Sequence, residues 1–323
     1  MKRSLFMKRV ALIVLSAASS LAVAQSFPSK PLTLIAPFAP GASADGIARI
    51  VARELSVALG QSVVVENRPG GGGATGLIAV AKATADGHTL GIGATGAITI
   101  GPHLPDAAPL NPQKQLEPLA KIADIPLVLV AGRNAGFDTL GQLLAKARAS
   151  DVSMANSGQY TAHHLSAELL ASMSGAKLIA VPYRGSAPAV NDILGGQLPV
   201  AVVDLTAALP HIKAGTIKAL AVTSAGRTRL APDIPTMAEA GVAGYAAPAW
   251  MGLFLPKGVP AAVTDRLSRE IQAILAKADV QNQILALAAE PAALNAEQFA
   301  SFINGESARW AKVIAELPKG AKP

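Results

Sequence analysis

From Lys30 onward the chain alternates short apolar, often β-branched runs with longer runs whose apolar positions recur every three or four residues. Few folds accept that alternation: strands separated by amphipathic helices build a parallel sheet with crossover helices. LTLIAPF reads as the first strand and GIARIVARELSVALG as a helix, with Ile47, Ile50, Val51, Leu55 and Ala58 at helical spacing and Gly60 placed to end it. QSVVVEN, the loop RPGGGGATG, the helix LIAVAKAT and the strand HTLGIG complete a βαβαβ unit. From about Pro126 the style repeats through LVLVAG, a helix starting near Asp138, DVSMAN, a helix from about Ala162, LIAVPY, a short helix, VAVVD and IKALAVT.

The expectation is an α/β fold of two doubly wound sheets. Residues 226–258 are rich in Pro and Gly with weak periodicity, and only helices are expected after them, as a tail packing back on the first sheet. The chain then crosses twice between lobes, near Ile125 and near Ser224. This gives a first lobe of 25–124 plus 225–323, a second lobe of 125–224, and a ligand cleft between them.

Ahead of this region, Lys2, Arg3, Lys8 and Arg9 precede the apolar run VALIVL and the small-residue stretch SAASSLAVAQ. That order is a secretory signal peptide, and the pair Ala22 and Ala24 places cleavage after Ala24, leaving 299 of the 323 residues. The apolar run is too short to span a bilayer. The absence of Cys excludes a lipoprotein anchor, a disulfide framework and thiolate chemistry. Four of the 28 Lys and Arg lie in the signal peptide, so 24 stand against 21 Asp and Glu in the exported chain, a net charge of +3 instead of +7. With 4% aromatics, this removes the case for nucleic acid as a partner.

In open parallel sheets ligands bind off the carboxyl ends of the strands, which selects loops 38–45, 93–97, 156–162 and 183–188. In the first, Gly41 and its small neighbours let backbone N–H groups face the cleft at a helix N-terminus, a setting for carboxylate or phosphate. Asp45 either caps that helix or meets ligand or water, with Arg49 as its i+4 partner. The second loop contributes Ala94 and Thr95. In the third, Ser157 and Thr161 offer hydroxyls beside another helix start. Arg184 in the fourth is placed either to clamp a carboxylate through its guanidinium or to brace the loop. Asp204, ending VAVVD, either caps the next helix, the reading favoured here, or orients a water or a ligand amine.

Other chemistries find no support. Gly71, Gly73 and Gly76 form a G-x-G-x-x-G, but Asn67, Arg68 and Pro69 separate it from the strand and no acidic strand end follows about 20 residues later, so no dinucleotide cofactor is assigned. His163 and His164 are adjacent on a helix and point about 100° apart, which argues against joint metal binding. His164 and Glu168 share a face as a surface or supporting pair. Neither G-x-S-x-G nor H-E-x-x-H occurs, and a periplasmic hydrolase or oxidoreductase on a similar scaffold stands as the alternative class.

Eight segments carry a further likeness in order: PFAPGASADGIAR, VENRPGGGGATG, ADGHTL, SGQYTAHHL, VPYRGSAPAVNDILGGQ, LPHIKAGTIKALAVTS, APDIPTMAEAG and WMGLFLP. Through them the chain resembles the periplasmic solute-binding receptors of tripartite tricarboxylate transporters, the Bug or TctC-like proteins. The resemblance implies a type II periplasmic-binding-protein fold that closes on a small organic acid without altering it. It also implies a monomer without cofactor that presents the acid to integral membrane transporter subunits or to a sensor. One carboxylate is then held by backbone and water at Phe38, Pro40, Gly41, Ala42, Ser43 and Asp45. The opposite lobe adds Ser157, Gly158 and Thr161, with support from His164, Gly185 and Asp204. Tyr160 stands where the family commonly has Gly, and His163 where an apolar or small residue is usual; both reshape the pocket. The acid itself is left unnamed.

Overall fold

The structure is a computed structural model that describes residues 27–316; the signal-peptide reading, with its cleavage after Ala24, lies outside them. In chain order the elements begin β1 (Leu32–Ala36), α1 (Ser43–Leu59), β2 (Val63–Asn67), α2 (Ala74–Ala81) and β3 (Thr89–Ala94). A single turn α3 (Pro112–Gln115) leads to β4 (Leu116–Ile125) and β5 (Leu127–Gly132). Next come α4 (Leu140–Ala149), β6 (Val152–Asn156), α5 (Ala162–Ser174), β7 (Leu178–Pro182), α6 (Ser186–Leu194), β8 (Val200–Asp204), α7 (Leu205–Lys213) and β9 (Ile217–Val222). The chain ends with β10 (Ala249–Pro256), α8 (Ala261–Leu275), α9 (Ala278–Ala286), β11 (Glu290–Leu294) and α10 (Ala296–Glu316).

Two sheets result. One has the order β11-β4-β10-β3-β1-β2 and the other β7-β6-β8-β5-β9. The βαβ segments pair in parallel, as β1 does with β2 and β3, and β6 with β7 and β8. Neither sheet is wholly parallel, however. β10 runs antiparallel between β3 and β4, and β5 runs antiparallel between β8 and β9.

The expectation that only helices follow residue 258, with a loop before it, is corrected by β10 and β11. β10 (AWMGLFLP) is buried at every position. It therefore shows no alternation, and its Gly252 and Pro256 read as breakers. β11 is a short, half-exposed edge strand. β4 carries Pro118, which demotes a run when pairing is judged from sequence alone.

One residue, Pro126, joins β4 of the first sheet to β5 of the second. The return crossing is tied to it at Thr223, whose backbone N–H donates to the Leu127 carbonyl at 3.0 Å and whose hydroxyl donates to the Ala247 carbonyl at 3.0 Å. The weakly periodic stretch is anchored further by Tyr245, a buried ring whose hydroxyl donates to the Ser166 carbonyl at 2.8 Å. Trp250 of β10 packs edge-to-face with Phe299 and Phe302, with ring centroids 5.4 and 5.5 Å away. Each such pair adds about 1 kcal/mol to what burial of the rings contributes. Helix α10 is thereby clamped to β10 of the first sheet.

Candidate functional site

A cavity of about 360 Å3 lies between the sheets, and all four strand-end loops reach it: Phe38 to Ser43, Ala94 to Gly96, Ser157 with Thr161, and Arg184 to Pro188. Four helices start at this cavity. Thr161 caps α5, its hydroxyl accepting from the His164 N–H, whereas α1 after Ala42, α6 after Gly185 and α7 after Asp204 have no side-chain cap. Uncapped first-turn N–H groups, backed by the helix dipole, are suited to anions. Ser43, Ser186 and Thr206, in the first turns of those three helices, all line the cavity.

Polar side chains join the two lobes across its floor. Ser157 Oγ lies 2.6 Å from Ser186 Oγ, and Ser186 Oγ accepts from the Asp204 N–H at 2.9 Å. The Asp204 carboxylate takes Ser43 Oγ, from the first lobe, on Oδ2 at 2.6 Å and His163 Nε2 on Oδ1 at 2.7 Å. Burial raises the pKa of Asp204, but the charge and hydrogen bond of His163, with those of Ser43 and Ser186, outweigh it and hold the carboxyl below its ordinary value. Asp204 occupies the cap position of α7 without bonding its N–H groups. The favoured capping reading is thus corrected: Ser43 from the opposite lobe and His163 from a neighbouring helix take one carboxylate oxygen each, and the side chain is turned toward them and away from the first-turn N–H groups of its own helix.

The order of this cluster also bears on catalysis. A serine nucleophile needs a histidine between itself and the aspartate. Here the aspartate lies in the middle, and Ser43 donates to a carboxylate instead of to a base.

Of the residues expected at the site, Phe38, Pro40, Gly41, Ala42, Ser43, Ala94, Thr95, Ser157, Thr161, Arg184, Gly185 and Asp204 line the cavity. Arg184 is exposed there. Asp45, Gly158, Tyr160 and His164 lie behind the wall. Buried Asp45 shapes the first loop, accepting from the Gly41 N–H at 3.0 Å, Asn67 Nδ2 at 2.9 Å and Arg49 Nε at 3.1 Å. Burial pushes its carboxyl up, and the Arg49, Gly41 and Asn67 bonds together bring it below its ordinary value.

Tyr160 adopts a left-handed conformation, φ 61°, and its N–H donates to His164 Nδ1 at 3.3 Å. Its backbone sits against the first lobe at two glycines. A Cβ on Gly96 would lie 2.5 Å from the Tyr160 carbonyl oxygen, and one on Gly72 would lie 3.0 Å from it. The glycine-rich loop, to which the sequence assigns no cofactor, therefore meets the opposite lobe.

Behind that loop His164 Nε2 and Glu168 Oε1 stand 3.7 Å apart, with side chains 7% and 15% exposed, a buried pair and not a surface one. Burial pulls His164 down to about 4 and pushes Glu168 up to about 7. An unfolded Glu ionises from its ordinary 4.5, so the folded state is disfavoured increasingly between pH 4.5 and 7 and fully above 7. Glu168→Gln removes that ionisation. We expect the variant to melt above the parent protein at pH 8 and level with it at pH 4; thermal denaturation at the two pH values checks this, and equal melting at both would count against it.

Ser186, Thr206, Ile125, Trp250 and Met251 line the cavity without having been singled out as binding residues, and His163, read from the resemblance as reshaping the pocket, lines it as well. His163 had a signal: two adjacent histidines on a first turn diverge by about 100°, so one of them faces the cleft. Trp250 and Met251 had none, because their strand was not recognised.

Among the described residues no group of three or more His, Asp or Glu is placed to hold a metal ion, and no helix is long and apolar enough to cross a membrane. Residues 47–318 match the family described as Tripartite tricarboxylate transporter family receptor. The chain is 38% identical to Protein BugT of Bordetella pertussis, over 93% of this chain and 92% of that one. Among solved structures it is similar to R. palustris Rpa4515 with adipate, at 33% identity and TM-score 0.83 over 90% of this chain and 98% of that one. It is also similar to MatC (Rpa3494) from Rhodopseudomonas palustris with bound malate, at 28% identity and TM-score 0.81 over 89% and 99%.

Proposed function

The chain belongs to the tripartite tricarboxylate transporter family of receptors, and on that premise we propose that it captures a small organic carboxylate between its lobes and delivers it unchanged. The observation that carries this reading is the convergence of uncapped helix starts from both lobes, α1 on one side and α6 and α7 on the other, on one cavity beside Arg184. Backbone N–H groups hold the carboxylate first, and the guanidinium second. Relatives with adipate and malate bound support the ligand class.

The lobes that go with this reading are 25–124 with 225–323, and 125–224, acting as a monomer. The receptor works in the periplasm after cleavage behind Ala24, and it presents its ligand to membrane transporter subunits or to a sensor. A hydrolase reading is disfavoured by Ser43, whose partner is not a histidine but a carboxylate held below its ordinary pKa and so a weak base.

Titration calorimetry of the exported chain against mono-, di- and tricarboxylates tests the proposal. Saturable binding of at least one acid, with no product formed on incubation, is expected. The absence of binding to every acid would sink it.

A further inference from the structure

We propose that His163 makes this cleft a site for carboxylates that carry no ammonium group, by occupying the one acidic side chain that faces the ligand. The inference rests on the carboxylate-receptor reading and narrows it. Among the described residues lining the cavity, Asp204 is the sole carboxylate. A ligand ammonium would need it as a charged partner, since the hydroxyls that also line the cavity accept hydrogen bonds but leave the charge of a buried cation unpaired.

Both Asp204 oxygens are already engaged, Oδ1 by His163 Nε2 at 2.7 Å and Oδ2 by Ser43 Oγ at 2.6 Å. The residue is 9% exposed and its backbone N–H is held by Ser186, so the carboxylate is turned toward these two donors and a third would have to share an oxygen with His163 or Ser43. Much of the remaining wall is apolar, including Phe38, Ile125, Trp250 and Met251. That surface accepts a hydrocarbon body and offers an ammonium group nothing. Ser43 comes from one lobe and His163 from the other, so the carboxylate is covered when the lobes meet around the ligand.

The expected discrimination is set by the penalty for burying an unpaired polar group, about tenfold or more in affinity. His163 is the removable half of the arrangement. His163→Ala frees Oδ1 and opens space beside it, whereas His163→Gln keeps an N–H donor for Asp204.

The test is titration calorimetry with matched pairs that differ only by an α-amino group: succinate and aspartate, glutarate and glutamate, adipate and 2-aminoadipate, 3-phenylpropionate and phenylalanine. In the parent protein the plain acid of each pair that binds is expected to be the tighter ligand by about tenfold or more. His163→Ala is expected to shrink or reverse that ratio, and His163→Gln to keep it, with thermal melting confirming that both variants are folded. An amino acid binding the parent protein as tightly as its plain partner would overturn the inference and leave the receptor reading standing. So would an unchanged ratio in folded His163→Ala. Failure of all eight compounds, together with the wider acid panel, would remove the receptor reading itself and this inference with it.

Discussion

Replacing Asp204 with Ala is expected to cost about 3 kcal/mol of stability, the scale for breaking a buried, hydrogen-bonded charge pair by removing one partner. With the lobes together the loss reaches both, because the same carboxylate receives Ser43 from the first and His163 from the second; with the lobes parted it stays with His163, inside the second. Removing it leaves a hydroxyl and an imidazole N–H without their acceptor, and each then carries a desolvation penalty in proportion to its burial. The pH dependence has a definite sign. Burial raises the pKa of Asp204 and the bonds from His163, Ser43 and Ser186 lower it further than that, so the folded-state value lies below the ordinary 3.8. A group depressed in this way stabilises fully above its unfolded value and loses that contribution as pH falls through the folded one. The gap between parent and Asp204→Ala should therefore be constant from pH 7 to about 5 and close below 3.8. Urea denaturation across that range measures it, and a gap under about 1 kcal/mol at pH 7 would show that the network is dispensable.

Gly96→Ala should weaken ligand binding by about 10- to 100-fold while leaving the melting temperature of the ligand-free protein nearly unchanged, since overpacking costs about 1–3 kcal/mol where neighbours cannot yield. The atoms in the way are backbone: the added methyl would stand 2.5 Å from the Tyr160 carbonyl oxygen and 3.0 Å from the Thr161 Cα. No rotamer change relieves contacts of that kind. Gly96 follows β3 in the first lobe, and Tyr160 precedes α5 in the second, so the strain disappears if the lobes part. The penalty then falls on the closed, ligand-holding state alone, and the apparent affinity drops with the population of that state. Calorimetry gives the affinity, and solution scattering should show less compaction on adding ligand than in the parent protein. Unchanged affinity together with unchanged compaction would mean that the Tyr160 loop does not need this seat.

Much of the architecture was legible before any coordinates. The βαβ alternation located β1 to β3 and β5 to β9, and the strand-end rule selected loops that do meet at one cavity. Periodicity carried this because each such strand is short and each helix has one buried face, so local pattern and burial agree. Where they disagreed the reading failed. β10 is buried on both faces and carries Gly and Pro, β4 contains Pro118, and β11 is a half-exposed edge; none has a local signature. The Trp250 and Met251 wall of the cavity was missed with β10.

The roles of individual side chains divide in the same way. Arg49 as the partner of Asp45 follows from i+4 spacing and is found at 2.9 Å. The partners of Asp204 lie 41 and 161 residues away, and no spacing rule connects them. By itself, then, the sequence determined which segments become strands and helices, and which loops stand at the strand ends. Only the tertiary structure decided that Asp204 binds His163 and Ser43 instead of capping its own helix, and that Gly72 and Gly96 seat Tyr160. The physical reason is range. Helix and strand patterns arise from neighbours a few residues apart, whereas the chemistry of the cleft is set by groups that meet only when two sheets close on each other.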